Sequence, residues 1–202
     1  MSTTLILIAI TCAVSFVALN NPKMLGALIL WPPAVSRGRE YYRLLTYGLV
    51  HAGWMHLLFN MITLYFFGRI MEQFYNEMLG QFGFAIFYLL GLVASILPTY
   101  YKHRDDPQYR SLGASGAVSA VLFAYILFDP WALIGVFFVP MPAIVFAALY
   151  VAYTIYSDRR GGDNINHNAH LWGAAYGVAF TLVVEPRVLR IFLTALRHPS
   201  FG

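Results

Sequence analysis

Charged residues in this chain fall in clusters separated by long apolar runs. No acidic or basic residue lies between Arg43 and Arg69, Glu77 and Lys102, Arg110 and Asp129, Asp129 and Asp158, or Asp163 and Glu185. Each gap can hold the roughly 17–25 residues that cross hydrocarbon as a helix. Backbone amides cannot go unsatisfied in lipid, so runs this apolar are expected to be helical. Leu5 to Leu19 is a sixth run. No Lys or Arg precedes it, so it reads as a first membrane helix rather than a signal segment with a positive n-region. The pattern therefore predicts six helices, at about residues 4–20, 55–75, 80–101, 114–128, 141–157 and 169–185.

The connections carry their own pattern. Asn21 to about Trp54 holds Leu25 to Trp31, then Pro32-Pro33, then an Arg37-to-Arg43 cluster with Tyr41 and Tyr42. Apolar residues mixed with aromatics and Arg suit a loop lying in the membrane interface. Pro140-Met141-Pro142 should end whatever structure Trp131 to Val139 adopts before the fifth helix begins. Pro186 to Gly202 reads as a basic tail. No repeat or second domain is visible, so residues 1–202 form one all-α polytopic membrane domain.

Composition strengthens this picture. Of 202 residues, 59% are hydrophobic and only 11% charged, against about a quarter charged in soluble domains; the mean hydropathy is +0.63. The net charge of +4 and pI near 9.2 fit contact with acidic lipid headgroups, and no basic run is long enough to argue for nucleic acid. Cys12 is alone, so no intrachain disulfide is possible. The loops after helices 1, 3 and 5 hold nine of the thirteen basic residues. By the positive-inside rule that face is cytoplasmic.

Polar residues inside such spans default to functional hypotheses. His51, His56 and Asn60 enter the second helix, and the spacing of four puts His56 and Asn60 on one face. Gly113-Ala114-Ser115-Gly116 opens the fourth. A serine there sits among unpaired N–H groups at the positive end of the helix dipole, where an oxyanion could be held; taken alone, it could equally be a helix cap. His170 opens the sixth helix, with Gly173 and Gly177 forming a small-residue face that matches Gly116, Ala120 and Ala124. If the two faces meet, Ser115 and His170 come within hydrogen-bonding reach. Together the groups suit acyl transfer: Ser115 as nucleophile, His170 as base, and His56, Asn60 and the Ser115 N–H as oxyanion donors. Glu72, Asp129 and Glu185 lie toward span ends, so a dyad without a carboxylate is expected.

With these motifs in order, the chain resembles the rhomboid family of intramembrane serine proteases over nearly its whole length. The matching pieces are Tyr42-Arg43 in the first loop, His56 and Asn60, Ser115 in GxSG, and His170, Gly173 and Gly177 in AHxxGxxxG. The resemblance implies a compact bundle of six transmembrane helices that cleaves transmembrane segments of membrane proteins without metal or cofactor. Gly113, Gly116, His51, Gly173 and Gly177 would support the site. It also implies a site mouth on the extracytoplasmic side, against the loop charge count. Two positions depart from the family. Tyr42 stands where Trp is favoured, and Ser119 stands where an aromatic ring often stacks on the catalytic imidazole.

Other readings are weaker. A catalytically inactive relative that binds membrane clients would usually lack the serine or the histidine, and both are here. A bis-histidine haem protein would draw on His51, His56 or His170. The spans show no inverted repeat of the transporter type, and HExxH is absent. His103 and His198 are expected to be solvated. His167 and the Asn-rich stretch from Asn164 to Asn168 are expected at the rim of the site, and the fifth helix could admit substrate laterally.

Overall fold

The computed structural model describes residues 2–136, 139–162 and 165–199; Asp163, Asn164 and the last three residues of the tail lie outside them. It is a helix bundle. The long helices are α1 (Thr3–Leu19), α5 (Trp54–Thr63) continuing through a π turn (Leu64–Gly68) into α6 (Arg69–Leu79), α7 (Gly83–His103), α8 (Ser115–Ile126), α9 (Ala143–Arg160) and α10 (His167–Val184). These are the six predicted runs. The second runs on to Leu79, the fourth stops at Ile126, and the fifth starts after Pro142, whose missing N–H suits a residue bordering a helix start.

Two segments differ from expectation. Leu133–Val136 and Val139–Pro142 pair as an antiparallel hairpin, β1 and β2, in register Ile134 to Met141. The chain is thus not wholly helical. Within the basic tail, Arg187–Arg197 forms a further helix, α11, with Val188 buried against the bundle and the Trp131 indole donating to the Ala195 carbonyl at 3.0 Å. Its arginines face away.

The first loop folds into α2 (Pro22–Leu28), α3 (Pro32–Ser36) and α4 (Arg43–Thr46), the last extended by a 3-10 turn, Tyr47–Leu49. Arg43 holds it together. Its guanidinium is buried and donates to the carbonyls of Gly26 (2.8 Å) and Ile29 (2.7 Å) and to Glu40. Arg37 and Arg104 share Asp105. These bonds account for several cations in the charge count by local pairing. Arg43 and Tyr42, both bonded to its carboxylate, hold the Glu40 acid below its usual range.

The interior is largely apolar, with Tyr47, Phe84, Phe87 and Ile96 at its centre, but it also buries polar side chains. Thr4, Thr11, Ser15, Asn60, Ser95, Thr99, Ser119 and Thr181 are buried, while Phe16, Met55, Phe66, Leu90 and Leu149 are exposed. Extended apolar exterior marks a surface that does not face water. Among the described residues α7 alone is long and apolar enough to cross a membrane, and Arg43–Leu49 with Trp54–Leu79 passes together, bent by 98°.

Polar helix ends are satisfied locally. Glu72 of α6 accepts from the Ser2 hydroxyl and the Thr3 and Thr4 amides, placing a carboxylate on the positive end of α1. Asn166 caps α10 by accepting from the Ala169 amide at 3.0 Å. At the core, α8 and α10 approach backbone to backbone. A Cβ added at Gly173 would lie 2.0 Å from the Gly116 carbonyl oxygen, and one at Gly177 would lie 2.2 Å from that of Ala120. Only glycine permits this contact.

Candidate active site

The close seam fixes what stands at its upper end. Ser115 is the first residue of α8, and His170 lies in the first turn of α10. His170 Nε2 and Ser115 Oγ are 2.7 Å apart, the geometry of a nucleophile and its general base. Ser115 does not cap its own helix: Ala114 holds that position without a side-chain bond. The serine hydroxyl is turned to the imidazole instead.

The turn before Ser115 is held from two sides. Gly113 has φ +112°, a region that disfavours side chains, and its amide donates to the Tyr47 carbonyl at 2.9 Å. The Ala114 amide donates to His51 Nε2 at 3.4 Å. His51 is buried, and its Nδ1 lies 3.0 Å from Ser15 Oγ of α1. The Ser15 hydroxyl already donates to the Leu49 carbonyl, so His51 carries its proton on Nδ1 and accepts on Nε2. A relay from α1 through His51 thus holds the backbone beside Ser115. His51 does not line the cavity.

His56 and Asn60 do line it. The His56 ring covers Gly113, where a Cβ would come within 2.6 Å of it, and packs edge-on to His51 with centroids 4.9 Å apart. One Asn60 N–H donates to the His56 carbonyl at 2.9 Å; an amide has a second donor, and Asn60 borders the cavity. With the first-turn N–H groups of α8, which lack intrahelical acceptors, these donors surround the space next to Ser115 Oγ.

That space is a cavity of about 980 Å³. His56, Phe59 and Asn60 of α5 form one wall, Phe146 and Tyr150 of α9 the other, and Ser115 and His170 lie between them. Gln108, Tyr109, Arg110 and Asn166 border it from the loops. Among the described residues no group of three or more His, Cys, Asp or Glu is placed to hold a metal ion.

The three carboxylates at span ends have other places. Glu72 caps α1, Asp129 follows the far end of α8, and Glu185 binds Arg187, which draws its acid down to about 2. His103 is not merely solvated: it stacks on Tyr109 at 3.8 Å and pairs with Asp106. His167 is buried, edge-on to His170 with centroids 6.1 Å apart. Asn166 and Asn168 lie against Thr99 of α7, and Asn166 also donates to Ser111, tying the cavity's loops to α7.

Residues 38–187 match the Rhomboid domain. The chain belongs to the rhomboid family. This is a family of integral membrane proteins, and the matched segment contains every residue around the cavity named above. Among curated relatives, the chain is 34% identical to "RHOMBOID-like protein 12, mitochondrial" of Arabidopsis thaliana over 66% of its own length and 44% of that protein's. It is 34% identical to "RHOMBOID-like protein 4" of the same plant, over 75% and 36%. It is 30% identical to "Putative rhomboid protease YdcA" of Bacillus subtilis (strain 168), over 75% and 74%. The chain thus spans less than half the length of the two plant relatives.

One part of this rhomboid site has no counterpart in the sequence reading. Ser119 lies one turn after Ser115, and its hydroxyl is 2.6 Å from the Tyr150 hydroxyl of α9. The Tyr150 ring lies nearly parallel to the His170 imidazole, at 17° with centroids 6.1 Å apart. Tyr150, Tyr153 and Tyr156 recur on α9 at a spacing of three. Nothing in that spacing selects the first of them.

Proposed function

We propose that this rhomboid protein is a serine endopeptidase that hydrolyses peptide bonds in or near transmembrane segments, using Ser115 and His170 as a dyad. The observation that carries the reading is the 2.7 Å contact between Ser115 Oγ and His170 Nε2 in a cavity that His56 and Asn60 also line. The family's nature and the name of the Bacillus relative agree with it.

Ser115 Oγ attacks the scissile carbonyl while its proton passes to His170 Nε2. The carbonyl oxygen becomes an oxyanion facing the α8 N-terminus, His56 and Asn60, where preorganised donors lower the barrier most. Collapse of the tetrahedral intermediate returns the proton from Nε2 to the leaving amine and leaves an acyl ester on Ser115. Water, deprotonated by His170, then attacks that ester and releases the new carboxyl group, restoring the serine hydroxyl. A cavity of about 980 Å³ has room for that water.

Six spans embed the bundle, with the first loop in the interface and the site mouth on the extracytoplasmic side. The internal pairing of Arg37, Arg43 and Arg104 supports this orientation over the loop charge count. Substrate reaches the cavity between α5 and α9.

The test is purification in mild detergent and incubation with a generic single-span substrate, beside Ser115→Ala and His170→Ala. The parent should cleave, and each variant should lose at least about 10³-fold in rate. Cleavage that survives in Ser115→Ala sinks the mechanism. A parent that retains membrane clients without cutting them supports an inactive, client-binding relative instead.

A further inference from the structure

We infer that Tyr150 of α9 is a positioning residue for the His170 imidazole, supplying from across the cavity the ring that Ser119 cannot supply from the nucleophile's own helix. The inference rests on the protease reading above.

A base of this kind must keep Nε2 on Ser115 Oγ as it gains and loses a proton. No carboxylate of Glu72, Asp129 or Glu185 orients this imidazole, since each has its own partner or lies at the far end of its span. Aromatic rings stand beside it. Tyr150 lies nearly parallel to its face at 6.1 Å, and His167 meets it edge-on at the same centroid distance. Both distances fall within the range in which aromatic pairs attract beyond simple burial. The π face of Tyr150 also favours the imidazolium formed when Ser115 attacks.

Tyr150 is itself fixed. Phe146 and Phe123 pack on it with centroids 5.5 Å away. Its hydroxyl, which would be costly to bury unpaired, is bonded to Ser119 Oγ at 2.6 Å. Serine at this position therefore has a defined task. It is too short to reach the imidazole, yet it anchors the ring that does. The bond links α8 to α9 one turn below the nucleophile, so the orientation of the base depends on α9 being seated. Rings and hydroxyls are spread over two helices, and neither helix alone completes the arrangement.

The test uses the full chain in detergent with a single-span substrate and, in parallel, the rate of fluorophosphonate labelling of Ser115. The parent, Ser115→Ala, Tyr150→Phe, Tyr150→Leu and the double variant Tyr150→Leu/Ser119→Tyr are compared. Misplacing a catalytic group by about 1 Å can cost about 10²-fold. Tyr150→Leu should accordingly lose about tenfold to a hundredfold in kcat and in labelling rate, with KM within about twofold of the parent. Tyr150→Phe, which keeps the ring, should lose about threefold. The double variant, with its ring now on α8, should recover most of the kcat that Tyr150→Leu loses.

Parental kcat in Tyr150→Leu, or a loss confined to KM, overturns the inference while leaving the dyad standing. A double variant that melts no lower than Tyr150→Leu and shows no recovery also overturns it. A parent that neither cleaves nor labels removes the protease reading and this inference together.

Discussion

The two sides of the cavity are built by different means. On one side α8 and α10 touch through Gly116, Gly173 and Gly177, with carbonyl oxygens where side chains would otherwise stand. Nine of the twelve residues of α8 are buried. On the other side, α9 buries only Ala143, Ala147, Thr154 and Ser157 and turns Leu149, Tyr153 and Tyr156 outward. Ser115 and His170 sit on the close-packed side. The Tyr150 ring beside His170 comes from the looser one. The contrast teaches that one cavity can join a side packed backbone to backbone with a side packed through a few small residues.

The comparison breaks most visibly at its tightest point. Gly173→Leu drives a side chain into the Gly116 backbone and should cost about 3 kcal/mol or more, or prevent folding. Leu149→Phe, on the exposed face of α9, should change stability by no more than about 0.5 kcal/mol. Thermal melts of both in one detergent decide the matter, and equal melting temperatures would erase the distinction. His51→Ala tests how far the fixed side reaches. It strands the Ala114 amide, while the Ser15 hydroxyl keeps the Leu49 carbonyl, at a cost of about 1–3 kcal/mol, and kcat/KM should fall about tenfold as Ser115 loosens. Activity unchanged beside a lowered melting temperature would make the relay purely structural.

The smallest effect lies at the foot of α10. Arg187 holds the Glu185 acid down at about 2, against an ordinary 4.5. A depressed acid stabilises the fold above its ordinary value, and that contribution is lost as pH falls through the folded one. The melting difference between the parent and Glu185→Gln should thus be constant near neutrality and shrink below about pH 4.5. A gap that widens in acid would contradict the pairing.

Much of this was legible in the residues, for identifiable reasons. Charge-free gaps gave the six long helices because lipid forbids most alternatives. The small faces on α8 and α10 predicted their approach because few other residues allow it. Two segments escaped. The hairpin over Leu133–Pro142 is short, apolar and close to Pro140 and Pro142, so no alternation marked its strands. Helix α11 carried a helical signal in Val188, Phe192 and Leu196, but its three arginines made it read as a tail. Ser119 was noticed as a missing ring. Its partner stayed hidden because Tyr150 lies thirty-one residues later on another helix, and only tertiary structure can choose among three tyrosines.

Several polar side chains in the bundle answer to their own helix. Thr63 donates to the Phe59 carbonyl, Thr154 to that of Tyr150, Thr181 to that of Gly177, and Asn60 to that of His56. Each helix can therefore enter lipid with these groups already bonded, before any neighbour arrives. Links between helices, among them Tyr75 with Thr181, Tyr176 with the Phe87 carbonyl and Tyr150 with Ser119, must wait for assembly. Harsh solubilisation will sever those links first and leave helices whole, so a circular dichroism spectrum can look native in a preparation whose chemistry is gone.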